Sequence, residues 1–186
     1  MTGSGSTLGF YSRNTGSAIA GATTSTTYRP LSYIEYTWSQ STTNSYLARG
    51  DHAFLWSDSI PLGTSTVPPT VKVSDVLDGV VAFQVTFLQQ NGTFSSNYAS
   101  TNTLAATISL AMVDSDSLNI LINSTKLQNL STFLNQAVTS GGANNSPRMD
   151  WENAVNSSPG INAYPQQVKT GLHFFERTID LPKPIL

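Results

Sequence analysis

Two histidines could do chemistry, because an imidazole beside an acid can activate a serine as a nucleophile. His52 lies next to Asp51 and close to Asp58, and the chain is rich in serine. His173 lies in an apolar stretch that is typical of a strand, which favours a structural role. Since so many serines are present, a triad-like match arises easily by chance. We therefore predict no catalytic residues and a protein that is not an enzyme.

Two aspartates could begin a calcium loop, because carboxylate oxygens at alternate positions can face one ion. These residues are Asp114 and Asp116, but the glycine and the distal glutamate of an EF-hand loop do not follow them. They also precede a helical pattern, where they would cap and stabilise the helix N-terminus. Calcium at Asp114 and Asp116 is thus an alternative to helix capping, and we expect no other cofactor.

Carbohydrate chemistry would need a facing pair of carboxylates or solvent-facing tryptophans. The three glutamates are Glu35, Glu152 and Glu176, and their spacing indicates no such pair. The three tryptophans are Trp38, Trp56 and Trp151. Because an indole buries a large area, we interpret the tryptophans as core residues.

The composition of the 186 residues is polar but nearly uncharged. Only 11% of residues are charged, cysteine is absent, and Ser, Thr and Asn make up about one third of the chain. A net charge of -2 argues against a nucleic-acid binder, which needs a basic surface. The absence of cysteine excludes disulfides and thiolate metal sites. This composition is common among β-rich proteins that are exported or that assemble.

Hydrophobic periodicity predicts antiparallel strands and a late helical region. The predicted strands are 31–38, 46–50 with its continuation 52–56, 80–88, 104–113 and 168–181, while 71–77 is either a strand or a connector. Leucines at three- and four-residue intervals predict one helix over 117–138, which Gly141 and Gly142 would end. A second helix is predicted over 148–155, with Ser146 as its N-cap and Pro147 as its first residue.

The pattern predicts one α+β domain with an antiparallel sheet and a late helical insertion. We expect residues 1–27 to be a flexible segment rich in Gly, Ser and Thr, in which a short apolar patch at 8–11 could add one strand. Residues 28–186 would form a single β-rich globular domain. No run approaches the roughly 20 apolar residues that a membrane-spanning helix needs.

Four stretches of the chain resemble the head domain of minor pilins and pseudopilins of the PilW and GspJ kind, from type IV pili and type II secretion systems. The stretches are 8–13 with 33–36 and 47–50, then 76–87, 105–121 and 168–181. The first resembles the family's opening hairpin, with a Leu-x-Arg pattern at Leu47 and Arg49. The second resembles its acid-Gly-Val entry to a central strand, at Asp78 and Gly79. The third resembles a strand that leads into an inserted helix, and the fourth a closing strand.

The resemblance implies a pilin-like head domain whose N-terminal transmembrane helix is absent from this sequence. It implies a non-enzymatic structural subunit that packs near the filament tip and helps prime assembly. Its partners would be other pilin or pseudopilin subunits and, through that helix, the bacterial inner membrane. Nucleic acid and small-molecule substrates are not expected. The full-length protein would face the periplasm or lie in an extracellular filament.

We expect partner subunits to contact three regions, which are the hairpin 31–50 and the loops 57–70 and 139–165. Two other classes of protein remain open. One is a β-sandwich binding or coat module, either carbohydrate-binding or like a viral or phage capsid protein, although the basic arm usual in capsids is missing. The other is a hydrolase that uses His52 or His173 in a dispersed triad.

Overall fold

The strands form two antiparallel sheets, and all the helices lie between the last two strands in sequence. The computed structural model describes residues 2–4, 7–12, 28–55, 71–99 and 101–181. The strands are β1 (Thr2–Ser4), β2 (Thr7–Ser12), β3 (Tyr28–Gln40), β4 (Ser45–Leu55), β5 (Val71–Asp78), β6 (Val80–Gln89), β7 (Phe94–Ser95), β8 (Thr103–Val113) and β9 (Leu172–Asp180). The helices are α1 (Ser115–Asn123), α2 (Leu127–Gly141), α3 (Pro147–Ser157) and α4 (Gln166–Thr170), with a 3-10 helix at Pro159–Ala163.

The first sheet is a five-stranded meander with the order β1-β2-β3-β4-β5. Its centre is the hairpin of β3 and β4, where Gln40 pairs with Ser45 across a short polar turn. This confirms the predicted hairpin. Residues 71–77, predicted as either a strand or a connector, belong to a strand, because β5 pairs with β4.

The second sheet has the order β7-β6-β8-β9, and its strand β6 is buried on both faces. The first sheet contacts one face of β6, and α2 contacts the other. Trp38 Nε1 donates a hydrogen bond of 2.8 Å to the Val80 carbonyl, to which the buried Ser45 hydroxyl also donates. These bonds attach the first sheet to the start of β6. A turn follows β6 at Gly92, whose φ of 81° suits glycine.

The helices cover the face of the second sheet that the first sheet leaves free. A core cluster joins them to the sheet, and its fully buried members include Val81, Ala82, Leu121, Leu130, Leu134 and Trp151. The Trp151 indole also donates a 3.1 Å hydrogen bond to the Leu134 carbonyl. The coarse prediction of an α+β fold with antiparallel strands and late helices is therefore confirmed.

The prediction of one helix over 117–138 is wrong, because two helices replace it. Helix α1 ends where Thr125 adopts a left-handed φ of 55° and its N–H bonds to the Ile122 carbonyl. The Lys126 N–H reaches back to the Leu121 carbonyl, which completes a Schellman-type helix end. The Ser124 hydroxyl also donates to a helix carbonyl. Short polar side chains can thus form hydrogen bonds with backbone groups where the chain leaves the helix. The leucine periodicity did not reveal this helix end.

The prediction of a strand over 168–181 is wrong for its first residues. Residues Gln166–Thr170 form α4, and the strand β9 begins only at Leu172. Val168 is fully buried in the helical core cluster, so the apolar pattern there reflects helix packing. The second predicted helix is confirmed as α3, which has Pro147 as its first residue and Ser146 at the N-cap position. The Ser146 side chain makes no capping hydrogen bond.

Some predicted regions lie outside the described residues. Within 1–27, β1 and β2 are strands of the first sheet, and β2 confirms the predicted strand at the apolar patch. Residues 13–27 and 56–70, with Trp56, Asp58 and the predicted loop 57–70, are not described. In the described part of the chain, every helix is too short or too polar to cross a membrane.

The packing of Trp151 makes it a test of the helical core. Replacing Trp151 with alanine removes a fully buried indole and its hydrogen bond, so we expect the free energy of unfolding to fall by about 3–5 kcal/mol. Urea unfolding followed by circular dichroism measures the change. The matched control is Met149→Ala on the same helix, where the side chain is 51% exposed and the expected change is within about 0.5 kcal/mol. Equal effects of the two substitutions would contradict the described packing.

Candidate functional site

The face of the second sheet that looks towards the first sheet is only partly covered. Cross-strand pairing places Ile108 opposite Arg177 and Leu110 opposite Phe175 on this face. The first sheet packs over β6, whereas the side chains of β9 remain open to solvent. Phe175 is 54% exposed, and Ile179, on the same face, is 42% exposed. An open apolar face of this kind is a candidate interaction surface.

An apolar groove runs between the two sheets along this open face, with a volume of about 410 Å³. Its lining side chains are Leu8, Phe10, Tyr36 and Leu47 from the first sheet and Phe83, Ile108, Leu110, Phe175 and Ile179 from the second, with Glu176 and Arg177 at its rim. The Glu176 carboxylate bonds to the Ser109 hydroxyl at 2.8 Å. Since Ser109 and Leu110 are adjacent on β8, this bond lies on the opposite face of the sheet from the groove. The groove itself is therefore lined mainly by apolar side chains.

A second concave site, the polar cavity, lies on the helix-covered face of the same sheet and has a volume of about 380 Å³. Its walls come from β6, β7, the end of α2, the connection 142–146 and the start of α3. The polar side chains that line it are Gln84, Thr86, Ser95, Ser96, Asn135, Thr139, Asn145 and Asp150. The Gln84 amide donates to Asn135 Oδ1 at 3.1 Å, which fixes the orientation of that amide.

Asp150 is the buried acid of the polar cavity, with 4% of its surface exposed. Its Oδ1 accepts a 3.0 Å hydrogen bond from Asn145 Nδ2. Its Oδ2 is buried and has no hydrogen-bond partner among the described residues, and the same holds for Thr86 Oγ1. The carboxylate lies against Gly141, where a Cβ atom would overlap it. Only glycine allows this close approach between α2 and α3.

Of the triad candidates that the structure describes, Asp51 and His52 point to opposite faces of the first sheet, and His173 lies on the second sheet. Asp51 is 3% exposed and forms a two-point ion pair with Arg49, in which both N–O distances are 3.0 Å. His52 is the next residue of β4, so it faces the other side of the sheet, where its ring meets Phe54. His173 is exposed on β9 and pairs with Met112. Asp58 lies outside the described residues.

The calcium candidates lie at the start of α1. Asp114 is the N-cap, and its Oδ1 accepts a 2.7 Å hydrogen bond from the Ser117 N–H. Hydrogen bonding by the Ser117 side chain, and then by its backbone, lowers the pKa of Asp114. Asp116 is exposed in the first turn. Among the described residues, no cluster of three His, Asp or Glu side chains surrounds them. Helix capping accounts for the hydrogen bonding of Asp114, and calcium there stays a prediction.

The described tryptophans lie in the core, as predicted. Trp151 is fully buried, and Trp38 is half-buried with its indole N–H bonded to the Val80 carbonyl. Among the glutamates, Glu152 and Glu176 both accept from Arg148, at 2.7 Å from its Nε and 3.4 Å from its backbone N–H. Glu35 lies on β3 in the other sheet. Glu152 therefore forms an ion pair with Arg148, whereas Glu176 accepts from a backbone N–H and from the Ser109 hydroxyl.

The expectation of a partner-binding loop over 139–165 needs correction. This region contains the end of α2, all of α3 and the 3-10 helix, because Trp151 and Ile161 anchor it in the helical core cluster. The hairpin 31–50 consists mainly of β3 and β4, with an exposed turn at 41–44. The groove and the polar cavity were not predicted. The adjacent Phe174 and Phe175 were a signal, since both faces of β9 then carry an aromatic ring.

The chain has no match among protein-family models, curated proteins or solved structures. The sequence resemblance and the geometry of the groove and the polar cavity are therefore the features that bear on function.

The N-cap role of Asp114 gives a pH-dependent prediction. A lowered pKa in the folded state means that ionised Asp114 stabilises the fold above the ordinary aspartate pKa. This stabilisation is lost as the pH falls through the lowered pKa. Asp114→Ala should therefore reduce the free energy of unfolding at neutral pH, and the difference from wild type should shrink in acid.

Urea unfolding at a series of pH values measures this difference. Asp116→Ala is the matched control, because it removes an exposed acid from the same turn without breaking the N-cap hydrogen bond. A difference between Asp114→Ala and wild type that stays constant into strong acid would contradict the N-cap assignment.

The contact between Gly141 and Asp150 gives a coupling prediction. Alanine usually stabilises a helix relative to glycine, but the Cβ at position 141 would overlap the Asp150 carboxylate. We expect Gly141→Ala to lower the free energy of unfolding by about 1–3 kcal/mol. In a double-mutant cycle, Gly141→Ala should lower the free energy of unfolding much less when Asp150 has already been replaced by alanine. The exposed neighbour Ser140→Ala should be nearly neutral, and additive effects of the two main substitutions would refute the contact.

Proposed function

We propose that this chain is the head domain of a minor pilin or pseudopilin of the PilW and GspJ kind. It would act as a non-enzymatic structural subunit near the tip of a type IV pilus or type II secretion pseudopilus and help to prime assembly. The observation that carries this proposal is the apolar groove with the exposed Phe175 and Ile179 beside it. The four stretches of sequence resemblance support it independently.

The groove suits an apolar α-helix. A helix with its side chains is about 10–12 Å wide and presents an apolar stripe along one side. Side chains of both sheets, such as Phe10 and Phe175, would contact opposite flanks of such a helix. Burial of apolar area in the groove would contribute roughly 25 cal/mol per Å². In the proposed filament, this helix comes from the N-terminal part of the same subunit, ahead of residue 1.

That same helix would hold the subunit in the bacterial inner membrane, with the head in the periplasm or, after assembly, in an extracellular filament. The weakly charged surface also supports a packing role. With 11% charged residues, neighbouring heads can approach without removing many charges from water. The proposed partners are other pilin or pseudopilin subunits and do not include nucleic acid.

A charge placed in the groove tests the proposal. In the source bacterium, Phe175→Glu should strongly reduce the amount of this subunit in sheared filaments or in the assembled pseudopilus, because the carboxylate would be desolvated against a helix. Immunoblotting of the sheared fraction and of whole cells measures incorporation. Met149→Glu is the matched control, since Met149 is 51% exposed on α3, away from the groove, and should incorporate normally.

Thermal unfolding of the two purified variants must show that both fold to a similar stability. Normal incorporation of Phe175→Glu would contradict a role of the groove in assembly. Formation of closed shells by the purified wild-type chain would instead support the coat-module alternative. A failure of Met149→Glu alone would move the assembly surface to the helical face.

A further inference from the structure

The polar cavity holds an acid that has no ion-pair partner in the part of the chain that the structure describes. Asp150 is 4% exposed, and the other residues that line the cavity are amides, hydroxyls, and small or apolar residues. Arg148, close by in sequence, is paired with Glu152 at 2.7 Å. A buried carboxylate without a counter-charge is costly. The first turn of α3, where Asp150 lies, offsets part of that cost through its helix dipole.

Two residues that line the cavity, Asp150 and Thr86, each carry a buried oxygen that can accept a further hydrogen bond. Asp150 Oδ2 and Thr86 Oγ1 are both buried and both without a hydrogen-bond partner among the described residues. Asp150 Oδ1 is different, because it is occupied by the Asn145 amide. A ligand that donates several hydrogen bonds and carries a positive charge would satisfy both oxygens and balance the acid.

The end of α2 adds to the attraction for a cation. The last carbonyl groups of this helix carry a partial negative charge, and Gly141 in its last turn lies against the Asp150 carboxylate. This last turn contains no basic residue that could neutralise the carbonyls. Asp150 and the carbonyls therefore attract positive charge to the same part of the cavity.

We propose that the polar cavity binds a primary ammonium group, supplied by a small organic amine or by a lysine side chain of a partner. An ammonium carries one positive charge and three donors, which match the unpaired oxygen of the Asp150 carboxylate and the hydroxyl of Thr86, which lines the same cavity. A guanidinium prefers both oxygens of a carboxylate, but Asn145 occupies one of them. A calcium ion takes six to eight oxygen ligands, and no cluster of three acidic or histidine side chains exists among the described residues.

The volume of the cavity fits this class of ligand. About 380 Å³ is far more than the roughly 30 Å³ that one water molecule occupies in the liquid. It also falls within the range of small-molecule sites, which starts at about 300 Å³. Val138 and Phe94 line the same cavity and can contact the methylene groups next to an ammonium. The site lies on the other face of the second sheet from the groove, so it does not depend on the proposed filament role.

Titration with butylamine, followed by NMR in phosphate buffer, tests the proposal on the full chain. We expect saturable shifts of the Asn145 side-chain amide and the Thr86 methyl group through the millimolar range. 1-Butanol is the matched neutral probe and should not saturate. Nα-acetyl-lysine amide presents the same ammonium on a lysine side chain. Tighter binding of butylamine favours a free amine, and tighter binding of the lysine analogue favours a partner's lysine.

Three variants locate the site. Asp150→Asn keeps the shape but removes the charge, so butylamine should bind at least about tenfold more weakly. Thr86→Val removes one acceptor and should weaken binding less. Asp116→Asn removes an exposed acid elsewhere and should leave binding unchanged. The amide spectrum of Asp150→Asn shows whether this variant folds. If it does not fold, Thr86→Val still tests the proposal.

Four results would overturn the proposal. The first is no saturable shift with either amine, and the second is saturation by 1-butanol at the same concentrations. The third is equal butylamine affinity in wild type and Asp150→Asn. The fourth is saturation by calcium chloride, in a phosphate-free buffer, at lower concentration than by either amine, which would assign the cavity to a metal ion.

Discussion

Burial of β6 on both faces is the constraint on which the rest of the structure depends. Val80, Phe83 and Phe87 pack towards the first sheet, whereas Val81 and Ala82 join the helical core. A strand with apolar residues on both faces must be covered twice, and this chain uses a sheet on one side and helices on the other. The hydrogen bonds from Trp38 and Ser45 to the Val80 carbonyl fix where the first sheet attaches.

The first sheet and the helices cover different extents of the second sheet, and both candidate sites result from this difference. The first sheet covers β6 but leaves β8 and β9 partly open, so an apolar groove remains next to Phe175. On the other face, the helices seal the sheet near Ala82 but meet polar side chains further along β6, at Thr86. There the packing encloses a polar cavity instead of a dry core. One face therefore carries the groove proposed for subunit packing, and the other carries the cavity proposed to bind an ammonium group.

Asp150 shows why a buried charge deserves a functional explanation. Its position in the first turn of α3 places its negative charge near the positive end of the helix dipole. The hydrogen bond from Asn145 satisfies one of its two carboxylate oxygens. The second oxygen and Thr86 Oγ1 contribute nothing to the described hydrogen bonding. A neutral amide of the same shape would keep the contact with Asn145 at lower desolvation cost. The carboxylate therefore makes physical sense where a cation can reach it.

The sequence by itself determined the strands with clear alternation or continuous apolar character, the hairpin at 31–50, the start of α3 at Pro147 and the core role of Trp151. These features depend on local periodicity, proline geometry and side-chain area. Tertiary packing was needed to show that 117–138 breaks at Thr125 and that Val168 belongs to a helix. It alone also placed Phe175 in a groove and Asp150 in a cavity. The groove and the cavity both depend on how much of each sheet face is covered by elements that are distant in sequence. The local residue pattern of a strand does not encode that coverage.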